Sequence, residues 1–87
     1  MELQELFQQA TVNSKTLSEK PDNETLLKLY SLFKQASEGD TLEDAPSNPF
    51  DFVAKFKQEA WAKLKGTSKE AAMQAYINLV NELKANQ

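Results

Sequence analysis

Residues 22–39, DNETLLKLYSLFKQASEG, read as one helix with a marked start and a marked end. Asp22 stands where an N-cap carboxylate accepts a backbone N–H, and Glu24 puts negative charge in the first turn, where the macrodipole favours it. Gly39 closes the stretch with the residue most often found just past a helix end. At about 100° per residue, the apolar arc is centred near Leu26, Leu29 and Phe33. Leu27, Tyr30 and Lys34, spaced i, i+3 and i+7, share the rim of that arc. A tyrosine and a lysine therefore lie beside leucine on one flank.

On either side the same period recurs. Upstream, Leu3, Leu6, Phe7 and Ala10 follow it, and the pattern fades at Asn13–Ser14. Lys20–Pro21 breaks the chain, because proline disfavours a helical residue before it. Downstream, residues 40–50 (DTLEDAPSNPF) hold two prolines and three acids and are expected to be loop. Its acids, with Glu38, lack the ligand spacing of a calcium loop and read as solvated. Residues 51–66 (DFVAKFKQEAWAKLKG) form a third amphipathic stretch ended by Gly66, with Val53, Phe56, Ala60 and Leu64 as the expected core row and Trp61 on its flank. Lys57 falls between Trp61 and Leu64, inside the face expected to be core. A fourth helix is predicted after Gly66, with Thr67 and Glu70 matching a capping box and a stripe of Ala72, Met73, Tyr76, Leu79, Val80 and Leu83. No alternating strand pattern intervenes. The reading is all-α, a four-helix bundle in a single domain over residues 1–87.

Composition narrows the function. With no cysteine and no histidine, the chain lacks a thiolate nucleophile, the usual general base and the commonest metal ligand. An enzyme is therefore not expected, nor a metal or other cofactor. The ten cations are all lysine, set against thirteen carboxylates for a net charge of -3. A net-acidic chain without arginine is not expected to bind nucleic acid. No apolar run reaches the ~20 residues needed to cross a bilayer, and the start MELQELFQQA carries no secretory pattern. A cytoplasmic location is expected.

The rim residues fit two readings. Lysines at stripe edges can snorkel, burying the stem and keeping the ammonium in water; tyrosines in stripes are commonly core rings with a satisfied hydroxyl. Alternatively, Tyr30, Lys34, Lys57 and Tyr76 converge on a partly apolar hollow rimmed by ammonium groups, suited to a ligand with an apolar tail and an anionic head. Periodicity leaves this choice open.

Two blocks bear on it: YSLFKQA at Tyr30–Ala36, matching Y-x-x-[FY]-K-Q-A, and WAKLKGTSKEAAMQAY at Trp61–Tyr76. In this order and at this spacing they resemble the acyl-CoA-binding protein family, from near Phe7 to about Lys84. The resemblance implies an up-down-down-up bundle that binds medium- to long-chain acyl-CoA esters non-covalently. Such a protein acts as a monomeric intracellular carrier and pool former, with transient contacts to membranes or acyl-CoA enzymes. It implies that Tyr30 and Lys34 engage the phosphorylated nucleotide head and that Lys57 joins them at the ribose 3′-phosphate. Tyr76 and Lys15 complete the surface, and Leu27 is an apolar contact. Phe33 replaces a frequent tyrosine, Gln58 a frequent tryptophan, and the loop near residues 46–50 is one residue longer than usual. Competing readings are a protein-interaction bundle without ligand and a module of a larger acyl-CoA enzyme.

Overall fold

The computed structural model describes residues 2–41 and 51–86. They form four helices, α1 (Leu3–Ser14), α2 (Asn23–Glu38), α3 (Phe52–Ala62) and α4 (Lys69–Ala85), and no strand occurs among the described residues. The start of α2 is as expected: the Asp22 carboxylate accepts from the Thr25 N–H at 2.8 Å. Its end is also as expected. Gly39 adopts φ 79°, a region L side chains rarely enter, while its N–H donates to the Gln35 carbonyl at 3.0 Å.

Two helix boundaries differ from expectation. α4 is capped by Ser68, whose Oγ accepts from the Ala71 N–H at 3.0 Å, so the Thr67–Glu70 capping box does not form. Two adjacent hydroxyl residues offer the same chemistry one step apart, and Thr67 is committed elsewhere through its carbonyl. α3 ends at Ala62, not at Gly66. Three-residue bonds, Leu64 N–H to Trp61 O at 2.9 Å and Lys65 N–H to Ala62 O at 3.2 Å, tighten the chain into turns there.

Side-chain contacts set the directions of the helices. Lys57 meets Tyr30 and Trp61 meets Lys34, so α2 and α3 advance together and run parallel. Gln4 and Phe7 of α1, Ala36 and Ser37 of α2, and Lys69 and Met73 of α4 enclose one hollow. Further along α4, the Tyr76 hydroxyl reaches Ser14 at the other end of α1. Hence α1 and α4 are parallel to each other and antiparallel to α2, an up-down-down-up bundle.

The core comes from three helices. Phe7 and Ala10 of α1, Leu29, Leu32 and Ala36 of α2, and Ala72, Tyr76, Ile77 and Val80 of α4 are buried together. α3 contributes no buried residue and packs only on α2. The first half of its expected core row is not core, Val53 being 64% exposed and Phe56 53%, whereas Leu64, just past the helix end, is partly buried against the core. A helix with one neighbour can bury only the side turned to it. Within α2 the buried face is also displaced. It runs through Leu29, Leu32, Gln35 and Ala36 and takes in Ser31, whereas Phe33 is exposed and Leu26 half-buried. The reason is that α2 lies between α3 and α4 and buries the sector that faces both.

Polar bonds hold α3 in place. Gln35 is fully buried, and its amide donates to Asp40 Oδ1 at 2.8 Å and to the Thr67 carbonyl at 2.7 Å. Its Oε1 accepts from the Trp61 indole N–H at 3.1 Å, which also donates to the Gly39 carbonyl at 2.9 Å. Trp61, expected as core, is thus a half-buried ring anchored by its N–H. Asp40 Oδ1 accepts in addition from the Gly66 N–H at 3.0 Å.

Gln35→Leu keeps the volume and strands these partners, so we expect a loss of about 2–4 kcal/mol in urea denaturation. The Gln35 amide and the Gly66 N–H, aided by nearby Lys65, hold the Asp40 carboxyl below its ordinary value of 3.8. A depressed carboxyl contributes stability that is complete above that value and lost as pH falls through the folded one. The denaturation midpoint of Asp40→Asn should therefore fall less steeply on acidification below pH 3.8 than that of the wild type.

Candidate functional site

Two hollows meet at Tyr30. The first, of roughly 450 Å³, lies between α1, α2 and α4 and is walled by Leu26, Leu29, Phe33 and the rings of Tyr30 and Tyr76, with Ser14 and Lys15 at its edge. Its apolar wall is the face of α2 that periodicity assigns to the core. Apolar residues line a groove and a core alike, so the helical wheel cannot separate them. Phe33 stacks on Phe7 with ring centroids 5.8 Å apart, and Tyr76 meets Phe7 edge-on at 5.2 Å. The wall is therefore a preformed aromatic cluster, still open on its Phe33 side. At its inner edge the buried Tyr76 hydroxyl donates to Ser14 Oγ at 3.1 Å.

The second hollow, of roughly 410 Å³, lies between α2 and α3, with Tyr30, Lys34, Glu38, Asp40, Gln58 and Trp61 around it. The Lys34 ammonium stands 5.1 Å from the Trp61 ring centroid and is paired with the Glu38 carboxylate. That pairing raises Lys34 above its ordinary value of 10.5, against the opposing effect of burial. Across the cleft, the Lys57 ammonium lies 5.1 Å from the Tyr30 ring centroid. Both distances fall within cation–π range, about 6 Å. Lys57 is half-buried and no intruder in a core, because the face it interrupts is not core.

The six residues expected at the site do not all share one place. Lys15, Tyr30 and Tyr76 line the first hollow, and Tyr30 and Lys34 the second. Lys57 joins through the Tyr30 ring. Leu27 is half-buried on α2 but lines neither hollow. Gln58, which replaces a frequent tryptophan, donates to Thr41 Oγ1 at 2.6 Å and ties α3 to the chain just past the end of α2. The longer loop near 46–50 lies outside the described residues.

A family model for acyl-CoA-binding protein matches residues 4–80. The chain belongs to the acyl-CoA-binding protein family. It is 47% identical over 79 residues to acyl-CoA-binding protein homolog 1 of Caenorhabditis elegans, covering 91% of each chain. To the acyl-CoA-binding protein homolog of Manduca sexta it is 47% identical over 88 residues, covering 99% of this chain and 96% of the other. The crystal structure of Oryza sativa acyl-CoA-binding protein 2 superposes with a TM-score of 0.91 at 38% identity, over 98% of this chain and 93% of that one. The all-α four-helix architecture is thus that of the acyl-CoA-binding proteins.

Reading the sequence missed Leu26, Leu29, Phe33 and Ser14 as lining residues, because each carries an equally good structural role. Glu38, read with the solvated acids of the loop, was missed as a partner of Lys34, although the i, i+4 spacing carries that signal. Tyr76→Phe should remove one hydrogen bond and leave the ring packing intact, lowering stability by about 1 kcal/mol in urea denaturation with the near-ultraviolet spectrum of Trp61 unchanged.

Proposed function

We propose that this member of the acyl-CoA-binding protein family holds medium- to long-chain acyl-CoA esters non-covalently, as a monomeric cytoplasmic carrier and pool former without catalysis of its own. The observation that carries the reading is the meeting of an apolar hollow and a lysine-bearing hollow at the single ring of Tyr30. An acyl-CoA ester is built the same way, with an apolar tail joined to a phosphorylated head.

In this reading Lys34 and Lys57 hold phosphate oxygens beside Tyr30, and Lys57 takes the ribose 3′-phosphate. Lys15 adds positive charge at the edge of the first hollow, Tyr76 closes its inner wall, and Leu27 meets the tail on the α2 surface. A protein of net charge -3 attracts such a ligand only through local convergence of lysines. The tail contributes through apolar area withdrawn from water, up to ~0.8 kcal/mol for each buried methylene. No helix among the described residues is long and apolar enough to cross a membrane.

Calorimetric titration with acyl-CoA esters of increasing length should give saturable one-to-one binding at micromolar protein that tightens with length until the groove is filled. Absence of saturable palmitoyl-CoA binding would sink the proposal. Lys34→Ala and Lys57→Ala should each weaken palmitoyl-CoA binding by roughly ten- to a hundred-fold, as loss of a charge-assisted hydrogen bond implies. For Lys57→Ala the loss should be much smaller with the 3′-dephospho ester.

A further inference from the structure

Glu38 occupies a place that helix electrostatics disfavours. It is the last residue of α2, where the macrodipole is negative, and no basic residue stands in that last turn to offset it. Its lysine lies one turn towards the N-terminus, which is the weaker orientation for an i, i+4 pair. The pair therefore does little for the helix, yet the carboxylate points into the second hollow and takes the ammonium of Lys34. The other carboxylate there, Asp40, is already committed to the Gln35 amide and the Gly66 N–H. Among the described residues Glu38 has no such anchor: its side chain is 53% exposed, whereas that of Lys34 is 26% exposed under Trp61.

We propose that Glu38 is an intramolecular competitor for the anion-binding ammonium of Lys34, a carboxylate that holds the phosphate position in the free protein and recaptures it as ligand leaves. The inference rests on Lys34 being a phosphate contact, as argued above. A phosphate group arriving at Lys34 must displace Glu38, whose side chain is free to swing into solvent. During release the carboxylate is tethered one turn away and meets the ammonium faster than a departing ligand can return. The effect is to limit affinity and hasten release. For a carrier that must hand its cargo on, the two go together.

The experiment uses the intact chain with palmitoyl-CoA, measuring affinity by calorimetry and release by stopped-flow displacement. Glu38→Gln is expected to bind about two- to five-fold tighter, in line with an exposed ion pair, with the gain in a slower release rate. Glu38→Asp keeps the charge but draws the carboxylate back by one methylene, and is expected to behave like Glu38→Gln. In a Lys34→Ala background, Glu38→Gln is expected to change neither affinity nor release. Circular dichroism melts verify that each variant is folded.

Equal tightening with and without Lys34 would overturn the proposal, since Glu38 would then act only as a general negative field. Wild-type behaviour of Glu38→Asp would overturn it in the same way, as would a gain carried wholly by the association rate. If Lys34→Ala weakens binding while Glu38→Gln does not tighten it, the competitor role fails and the site reading stands. If Lys34→Ala leaves palmitoyl-CoA binding unchanged, the site reading fails and the proposal with it.

Discussion

The buried amide of Gln35 is the interaction on which the arrangement of this bundle depends. It is fully enclosed, and an unpaired amide there is costly, so the fold must deliver its partners together. Those partners come from three places: Asp40 just after α2, Trp61 on α3 and Thr67 before α4. No apolar side chain could enforce the same choice, since hydrophobic contact is indifferent to direction. Placing Trp61 at Gln35 sets the register of α3 along α2. One turn back, that register brings Lys57 over Tyr30. The site is therefore positioned by a hydrogen-bonded latch next to it, and the apolar core supplies the platform.

Much of this was legible in the sequence, and the failures have a common cause. Asp22 and Gly39 bound α2 where their chemistry required, and the α4 stripe through Ala72, Tyr76 and Val80 is buried as its spacing implied. Periodicity reports which side of a helix is apolar but not what that side meets. Phe33 and Leu26 sit on the most apolar side of α2 and line a groove, while polar Ser31 and Gln35 are buried beside them. The row Val53 and Phe56 on α3 is apolar and open to solvent. For Lys57 the helical wheel marked an anomaly against a core background that the structure does not have there. The shift of the α4 cap from Thr67 to Ser68 is a smaller ambiguity of the same kind, decided by what else each residue must bond.

Charge works in this molecule by placement. The net charge is negative, and the lysines of α2 and α3 at the candidate site are each set against something that conditions them: Lys34 against Trp61 and Glu38, Lys57 against Tyr30. An aromatic face holds an ammonium without neutralising it, so the cation stays available to an anion approaching from the open side. Tyr30 belongs to both hollows, so one rigid ring separates the apolar from the charged half of the surface. Rigid aromatic walls also spare a ligand the entropy of ordering them.

The absence of any buried residue on α3 has a thermodynamic consequence beyond geometry. A helix joined to its neighbours on one side, chiefly through Trp61 and Gln58, forms a cooperative unit whose opening free energy lies below that of the three-helix core. Its amide protons are accordingly expected to exchange through a partial opening in which α1, α2 and α4 stay assembled. Any molecule that spans Tyr30 and Lys57 spends part of its interaction energy closing that opening, and its apparent affinity carries the docking equilibrium of α3 within it. Substitutions at the adjoining Gln35 latch thus reach the candidate binding surface without removing any of its lysines, through the fraction of molecules in which α3 is seated.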